Sequence, residues 1–238
     1  MDDPHVIVCD SEDALVDRVA HGVSRRLAQP GEHHLVLTGG GVGTRVLAAL
    51  ADLSTGVDWS TVHLWWGDER FLPPGDPDRN ETGARAALID HVPIPESNVH
   101  PMPADRGQGA EQAAADYADE LARHSSDGVV PDFELLLLGM GPEGHVASLF
   151  PHSPGLQAAT STVAVMQCPK PPPTRVSLSL AAIRTAREIW IGATGDAKAE
   201  VAALAARADT SPEDVPAAGA RGRESTVLWL DPPAASRL

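Results

Sequence analysis

Phe133-Glu134-Leu135-Leu136-Leu137-Leu138 runs directly into Gly139-Met140-Gly141-Pro142-Glu143-Gly144-His145. The first stretch is apolar at nearly every position. Side chains alternate between the two faces of a strand, so this strand must be covered on both sides, as in the middle of a parallel sheet. The second stretch is a glycine-rich turn ending on an imidazole. Working outward, His5–Cys9, His34–Thr38, Val62–Trp66, Thr162–Met166, Glu188–Ala193 and Thr226–Leu230 read as strands, and Val176–Leu180 resumes apolar structure. Ser11–Leu27 with Ser11 as N-cap, Gly43–Leu50, Asn80–Asp90, Gln108–Arg123 and Ala197–Arg207 read as helices. Gly67–Asp78, Pro169–Pro173 and Pro212–Pro216 read as loops. Alternating strands and helices imply an α/β fold: an open, mainly parallel sheet with helices on both faces. There is no internal repeat and no long linker, so residues 1–238 are expected to form a single domain.

Bulk properties narrow the function. With 42% hydrophobic and 21% charged residues, 238 residues can bury a sizeable core. A formal net charge of −15 repels nucleic acid and anionic membranes, so neither is an expected partner. The same charge repels a phosphorylated metabolite, so any phosphate site must gather cations and backbone N–H groups locally. Cys9 and Cys168 stand far apart and make neither a disulfide framework nor a zinc knuckle. The first residues, Met-Asp-Asp-Pro-His, lack an apolar signal core, and no apolar run approaches the ~18 residues of a membrane span, so a cytoplasmic location is expected. His33-His34 makes no metal set, and no metal is expected. A monomer and a homodimer are both compatible with the sequence.

In open parallel sheets, ligands bind at the carboxyl ends of the strands. Five segments with unusual residues fall there. Thr38-Gly39-Gly40-Gly41-Val42-Gly43-Thr44 lies between a strand and a helix; its glycines allow close approach of N–H groups to an anion, although such turns also serve packing alone. Gly67-Asp68-Glu69-Arg70 offers two carboxylates and a guanidinium for acid/base work and anion binding, or is a solvated turn. Asn80 follows, either as a helix cap or as a substrate contact. In the turn after Leu138, His145 can take a proton from water near pH 7, and Glu143 can orient it. Lys170-Pro171-Pro172-Pro173-Thr174-Arg175 presents two cations on a stiff loop, or a docking segment for a partner. Gly195-Asp196-Ala197-Lys198 places a lysine near a helix start, for an anion or for solvent.

Taken in order, the five segments resemble the 6-phosphogluconolactonase family, related in fold to the glucosamine-6-phosphate deaminases. Gly67–Phe71 (GDERF), Gly141–Pro151 (GPEGHVASLFP) and Lys170–Leu180 (KPPPTRVSLSL) are the strongest matches. The resemblance implies a deaminase-like open α/β fold. It also implies hydrolysis of 6-phospho-D-glucono-1,5-lactone to 6-phosphogluconate in the oxidative pentose phosphate pathway, without metal or organic cofactor. It makes His145 the catalytic base and Arg70 a substrate-binding residue, and it sets Gly39, Gly40, Gly41, Arg175 and Lys198 around the phosphate. Asp68 and Glu143 are the candidate partners of the base, and Thr44, Asn80 and Lys170 complete the expected binding set. The family usually has Asp where Glu143 stands, which puts a direct chemical role for Glu143 in doubt. Two other activities remain open on this reading. One is a deaminase/isomerase acting on glucosamine 6-phosphate, disfavoured because Val146–Pro151 contains no acid and Phe150 stands about where one would be. The other is a non-catalytic sugar-phosphate sensor.

Overall fold

The computed structural model describes residues 3–238. Strand β1 (His5–Val8) leads into helix α1 (Glu12–Leu27), whose N-cap Ser11 accepts a hydrogen bond from the Ala14 N–H. Glu12 and Asp13 in the first turn and Arg25 and Arg26 in the last complement the helix dipole. Then come β2 (His33–Leu37), α2 (Gly40–Asp52), β3 (Val62–Trp66), β4 (Asp68–Arg70), α3 (Asn80–Ala87) and α4 (Ala110–Arg123). The second half contributes β5 (Leu135–Gly139), β6 (Thr162–Val165), β7 (Arg175–Leu178), α5 (Leu180–Ile183), β8 (Glu188–Ala193), α6 (Ala199–Ala205), α7 (Pro216–Gly219) and β9 (Ser225–Leu230).

Six strands form one sheet in the order β1-β9-β8-β5-β2-β3, and every pairing in it is parallel. Leu135–Leu138 are all buried, as an apolar strand with both faces covered requires. Leu15 and Val19 of α1 and Val46 of α2 belong to the same hydrophobic core as Leu137 and Trp190 of the sheet. Burying such side chains stabilises the fold by about 1.5–3 kcal/mol each.

Two differences from the sequence reading bear on the site. The segment Gly67–Asp78 is not loop throughout, because Asp68–Arg70 forms β4. It pairs antiparallel with β7, which pairs with β6, giving a small second sheet. The second helix starts at Gly40 rather than Gly43, so the glycine run is its first turn. Glycine's low helix propensity hides that start in the sequence, while Gly40 at φ +82° uses a conformation that side chains disfavour.

The topology sets the position of the cleft. From β2 the chain moves outward to β3, and from β5 it moves the other way to β8. The loops leaving neighbouring β2 and β5 therefore diverge, and a crevice opens between their carboxyl ends. Across its floor the Gly139 N–H donates to Thr38 Oγ1 at 3.2 Å.

Candidate active site

The crevice is a cleft of about 190 Å³. One wall is Thr38–Gly43, the opening of α2. Gly39 is the N-cap and has no side chain to cap the first turn, so the free N–H groups there are available to an anion. The opposite wall is the turn after β5, with Gly141, His145 and Ala147. Asp68, Arg70 and Asn80 close one end, and Arg175 and Lys198 also line the cavity.

His145 is held tightly. The Gly141 N–H donates to the His145 carbonyl at 3.0 Å, and Gly144, at φ +84°, donates back to the Gly141 carbonyl at 2.9 Å. Phe150 stacks on the imidazole with ring centroids 4.3 Å apart. Nδ1 is buried 3.2 Å from Glu143 Oε2, off the axis of a well-formed hydrogen bond. Burial pushes the His145 pKa below its ordinary 6.5; Glu143 opposes that shift and Lys170 adds to it. The ring is therefore neutral near pH 7. Burial resists ionisation of Glu143, but a backbone N–H, Lys170 and His145 together hold its carboxyl below the usual range. Lys170 Nζ lies 2.9 Å from Glu143 Oε1, so this lysine neutralises Glu143 and does not line the cleft.

Asp68 is buried and anchored from three sides. Ser148 Oγ donates to its Oδ2 at 2.6 Å, Asn80 Nδ2 donates to its carbonyl at 2.8 Å, and Arg175 Nη1 lies 3.9 Å from Oδ2. Arg175 also donates to the Pro171 and Pro172 carbonyls, at 3.1 and 3.2 Å, so the proline loop aims the guanidinium. Arg70 donates through Nη1 to the Asp78 carbonyl at 2.6 Å, while its buried Nε has no partner. The Lys198 ammonium makes no ion pair or hydrogen bond among the described residues, and burial pushes its pKa below the ordinary value. It is a partly desolvated cation at the cleft wall.

A family model described as glucosamine-6-phosphate isomerases/6-phosphogluconolactonase matches residues 10–229. The chain belongs to that family. A 6-phosphogluconolactonase of Streptomyces coelicolor is 46% identical over 250 residues, covering 100% of this chain and 95% of its own. The solved structure of 6-phosphogluconolactonase from Trypanosoma brucei superposes with a TM-score of 0.85 at 27% identity, covering 99% of this chain and 98% of that one. A monomeric glucosamine-6-phosphate deaminase shares the fold, with a TM-score of 0.82 at 19% identity over 98% of this chain and 100% of that one.

Within this member of the glucosamine-6-phosphate isomerase/6-phosphogluconolactonase family, the cleft gathers His145, Asp68, Gly39, Gly40, Gly41, Arg70, Asn80, Arg175 and Lys198. Glu143 and Lys170 stand behind the imidazole as an ion pair. Thr44 lies outside the cavity, with Oγ1 turned toward Gly83 of α3. Asn80 is the first residue of α3 rather than its cap, and its Oδ1 packs against Gly39, where a Cβ would collide with it.

Glu69 also departs from the acid/base reading. It is buried away from the cleft and accepts the N–H groups of Arg70, Asn80 and Glu81, so it caps α3 from another element. Burial pushes its carboxyl up to about 7, against the pull of Arg79 and those donors. Ser148 is the site residue that the sequence reading missed. Its place three residues after His145 was the available signal, but the partner it holds, Asp68, lies 80 positions away.

Proposed function

We propose that this enzyme hydrolyses 6-phospho-D-glucono-1,5-lactone to 6-phosphogluconate, with His145 as the general base. The observation that supports it most is a neutral imidazole, braced by Phe150 and Glu143, facing a cleft whose other wall is an uncapped glycine helix start. With Nδ1 turned to the Glu143 carboxylate, the proton resides on Nδ1 and Nε2 keeps its lone pair. Nε2 takes a proton from water as the water oxygen attacks the lactone carbonyl carbon. The tetrahedral oxyanion is met by donors, for which the unpartnered Arg70 Nε is suited. Collapse breaks the bond from the carbonyl carbon to the ring oxygen, and the imidazolium returns its proton to that oxygen. The phosphate rests on the N–H groups of Gly39–Gly41, with Lys198 and Arg175 supplying positive charge. Asp68, fixed by Ser148 and Asn80, orients the water or a substrate hydroxyl.

The 46% identity to a curated lactonase supports the substrate. The apolar Phe150, packed on His145, speaks against a second acid for ring opening of an amino sugar. The test is a His145→Ala variant assayed for lactone hydrolysis against the uncatalysed background. A loss of about 10²–10⁴-fold is expected, and retention of full activity rejects the assignment. Release of ammonia from glucosamine 6-phosphate by the unaltered protein would reject the substrate.

A further inference from the structure

At the amino end of β3, remote from the cleft at the carboxyl ends, lies a second cluster of titratable groups. His63 projects from β3, His100 follows the isolated bridge between Leu64 and Val99, and His124 caps the C-terminus of α4. One ring nitrogen from each lies within 4.8 Å of the other two. We propose that His63, His100 and His124 form a site for one divalent transition metal ion of the zinc class.

Several independent observations converge on it. His63 Nδ1 and His100 Nε2 are 3.0 Å apart and share a single proton. A tetrahedral zinc with Zn–N of roughly 2.0–2.1 Å separates its ligand nitrogens by about 3.3 Å, so a small ring movement converts the shared proton into a shared metal. His100 Nδ1 donates to Glu120 Oε1 at 2.9 Å, which directs the lone pair of Nε2 toward His63. This carboxylate-to-imidazole bond is the arrangement that orients metal-bound histidines. Glu120 also sits 3.3 Å from His124 Nε2 and pairs with Arg123, so one carboxylate braces two of the three rings. Trp65 stacks under His100 with centroids 4.0 Å apart and supplies an apolar floor.

His34, which stacks on His63, is not part of the set. Its Nδ1 accepts from Trp65 Nε1 at 3.0 Å and its Nε2 faces Glu32 at 3.0 Å, so both nitrogens are occupied. Burial pushes His63 down and His100 down to about 4, leaving neutral rings, the form that binds metal. Imidazole donors favour zinc, copper, nickel and cobalt over magnesium or calcium. The net charge of −15 raises the local concentration of any cation. Because 61 positions separate the first ligand from the last, a bound ion would clip the edge strand β3 to the end of α4. With no short ligand spacing, the sequence shows no metal motif.

The test uses the full chain stripped of metal with a chelator and titrated with zinc chloride by calorimetry, then with cobalt chloride by visible absorption. One equivalent is expected to bind, with the absorption bands of tetrahedral cobalt and a raised Tm. His124 is exposed, so His124→Ala should fold and bind zinc at least 10-fold more weakly; His63→Ala should do the same. His145→Ala should bind zinc as the unaltered protein does. Absence of zinc binding, or binding lost in His145→Ala but retained in His124→Ala, overturns the proposal.

Discussion

Gly141→Ala is a one-carbon perturbation aimed at the imidazole itself. A Cβ built on Gly141 would lie 2.0 Å from His145 Nδ1 and 2.7 Å from Glu143 Oε2. To recover an ordinary contact of 3.4 Å, the ring would have to retreat by about 1.4 Å. Retreat is opposed by Phe150, stacked on the ring, and by the hydrogen bond that ties the His145 carbonyl to the Gly141 N–H. A misplacement near 1 Å costs on the order of 10²-fold in rate, so kcat should fall by about that factor or more. Gly141 does not use a positive φ, so the backbone tolerates alanine and the fold should survive. The assay is lactone turnover corrected for spontaneous opening, with circular dichroism and thermal melting as controls for folding. A folded Gly141→Ala protein with unaltered kcat would refute the argument that this glycine exists to admit the imidazole.

Four further outcomes follow from the same geometry. On the proposed mechanism His145, held below 6.5 by burial, works as the unprotonated base, so kcat/KM should be flat near pH 7 and fall only on the acid side of 6.5. Glu143→Gln removes the charge that raises it, so a pH profile should show that acid limb moved further down. Lys198→Ala removes a cation that pairs with no side chain among the described residues; KM should rise roughly 10-fold or more with kcat little altered, a split that steady-state kinetics would reveal. Glu69→Gln turns an amide N–H₂ toward the Glu81 N–H and weakens the pairing of fully buried Arg79. Denaturant unfolding should register a loss of about 2–4 kcal/mol while the cleft residues stay in place.

The sheet was legible because apolar runs bounded by glycine and proline are local signals, and Val62–Trp66 and Glu188–Ala193 begin and end where the periodicity says. What escaped depends on partners far away in sequence. Asp68-Glu69-Arg70 is charged throughout and does not resemble a strand, yet it becomes one because β7 reaches it across more than a hundred positions. Glu69 reads as a catalytic acid when its neighbours are Asp68 and Arg70, and as a helix cap once the chain returns through Asn80. Side-chain alternation decides this: adjacent residues of a strand face opposite ways, so Asp68 and Glu69 cannot both enter one cleft. Thr44 follows the corresponding helical rule: the first turn of α2 offers its glycines to the cleft while Thr44 faces α3.

The acidity of the chain and the chemistry of the cleft then fit together. Of 33 acidic side chains against 18 Lys and Arg, the cavity wall takes one carboxylate, Asp68, and three cations, Arg70, Arg175 and Lys198. At physiological ionic strength charges beyond about 8 Å are largely screened, so the surface carboxylates weaken long-range attraction of a sugar phosphate without opposing its binding once docked. Near the ligand the balance is reversed, and the polar groups are held in advance: Arg175 by the proline loop, Asp68 by Ser148 and Asn80, and the glycine N–H groups by their place at a helix start. Preorganised dipoles need not reorient as charge develops on the substrate. A sequence with a net charge of −15 can therefore serve an anionic substrate, because the field that matters is set within a few ångströms by three cations and one uncapped helix.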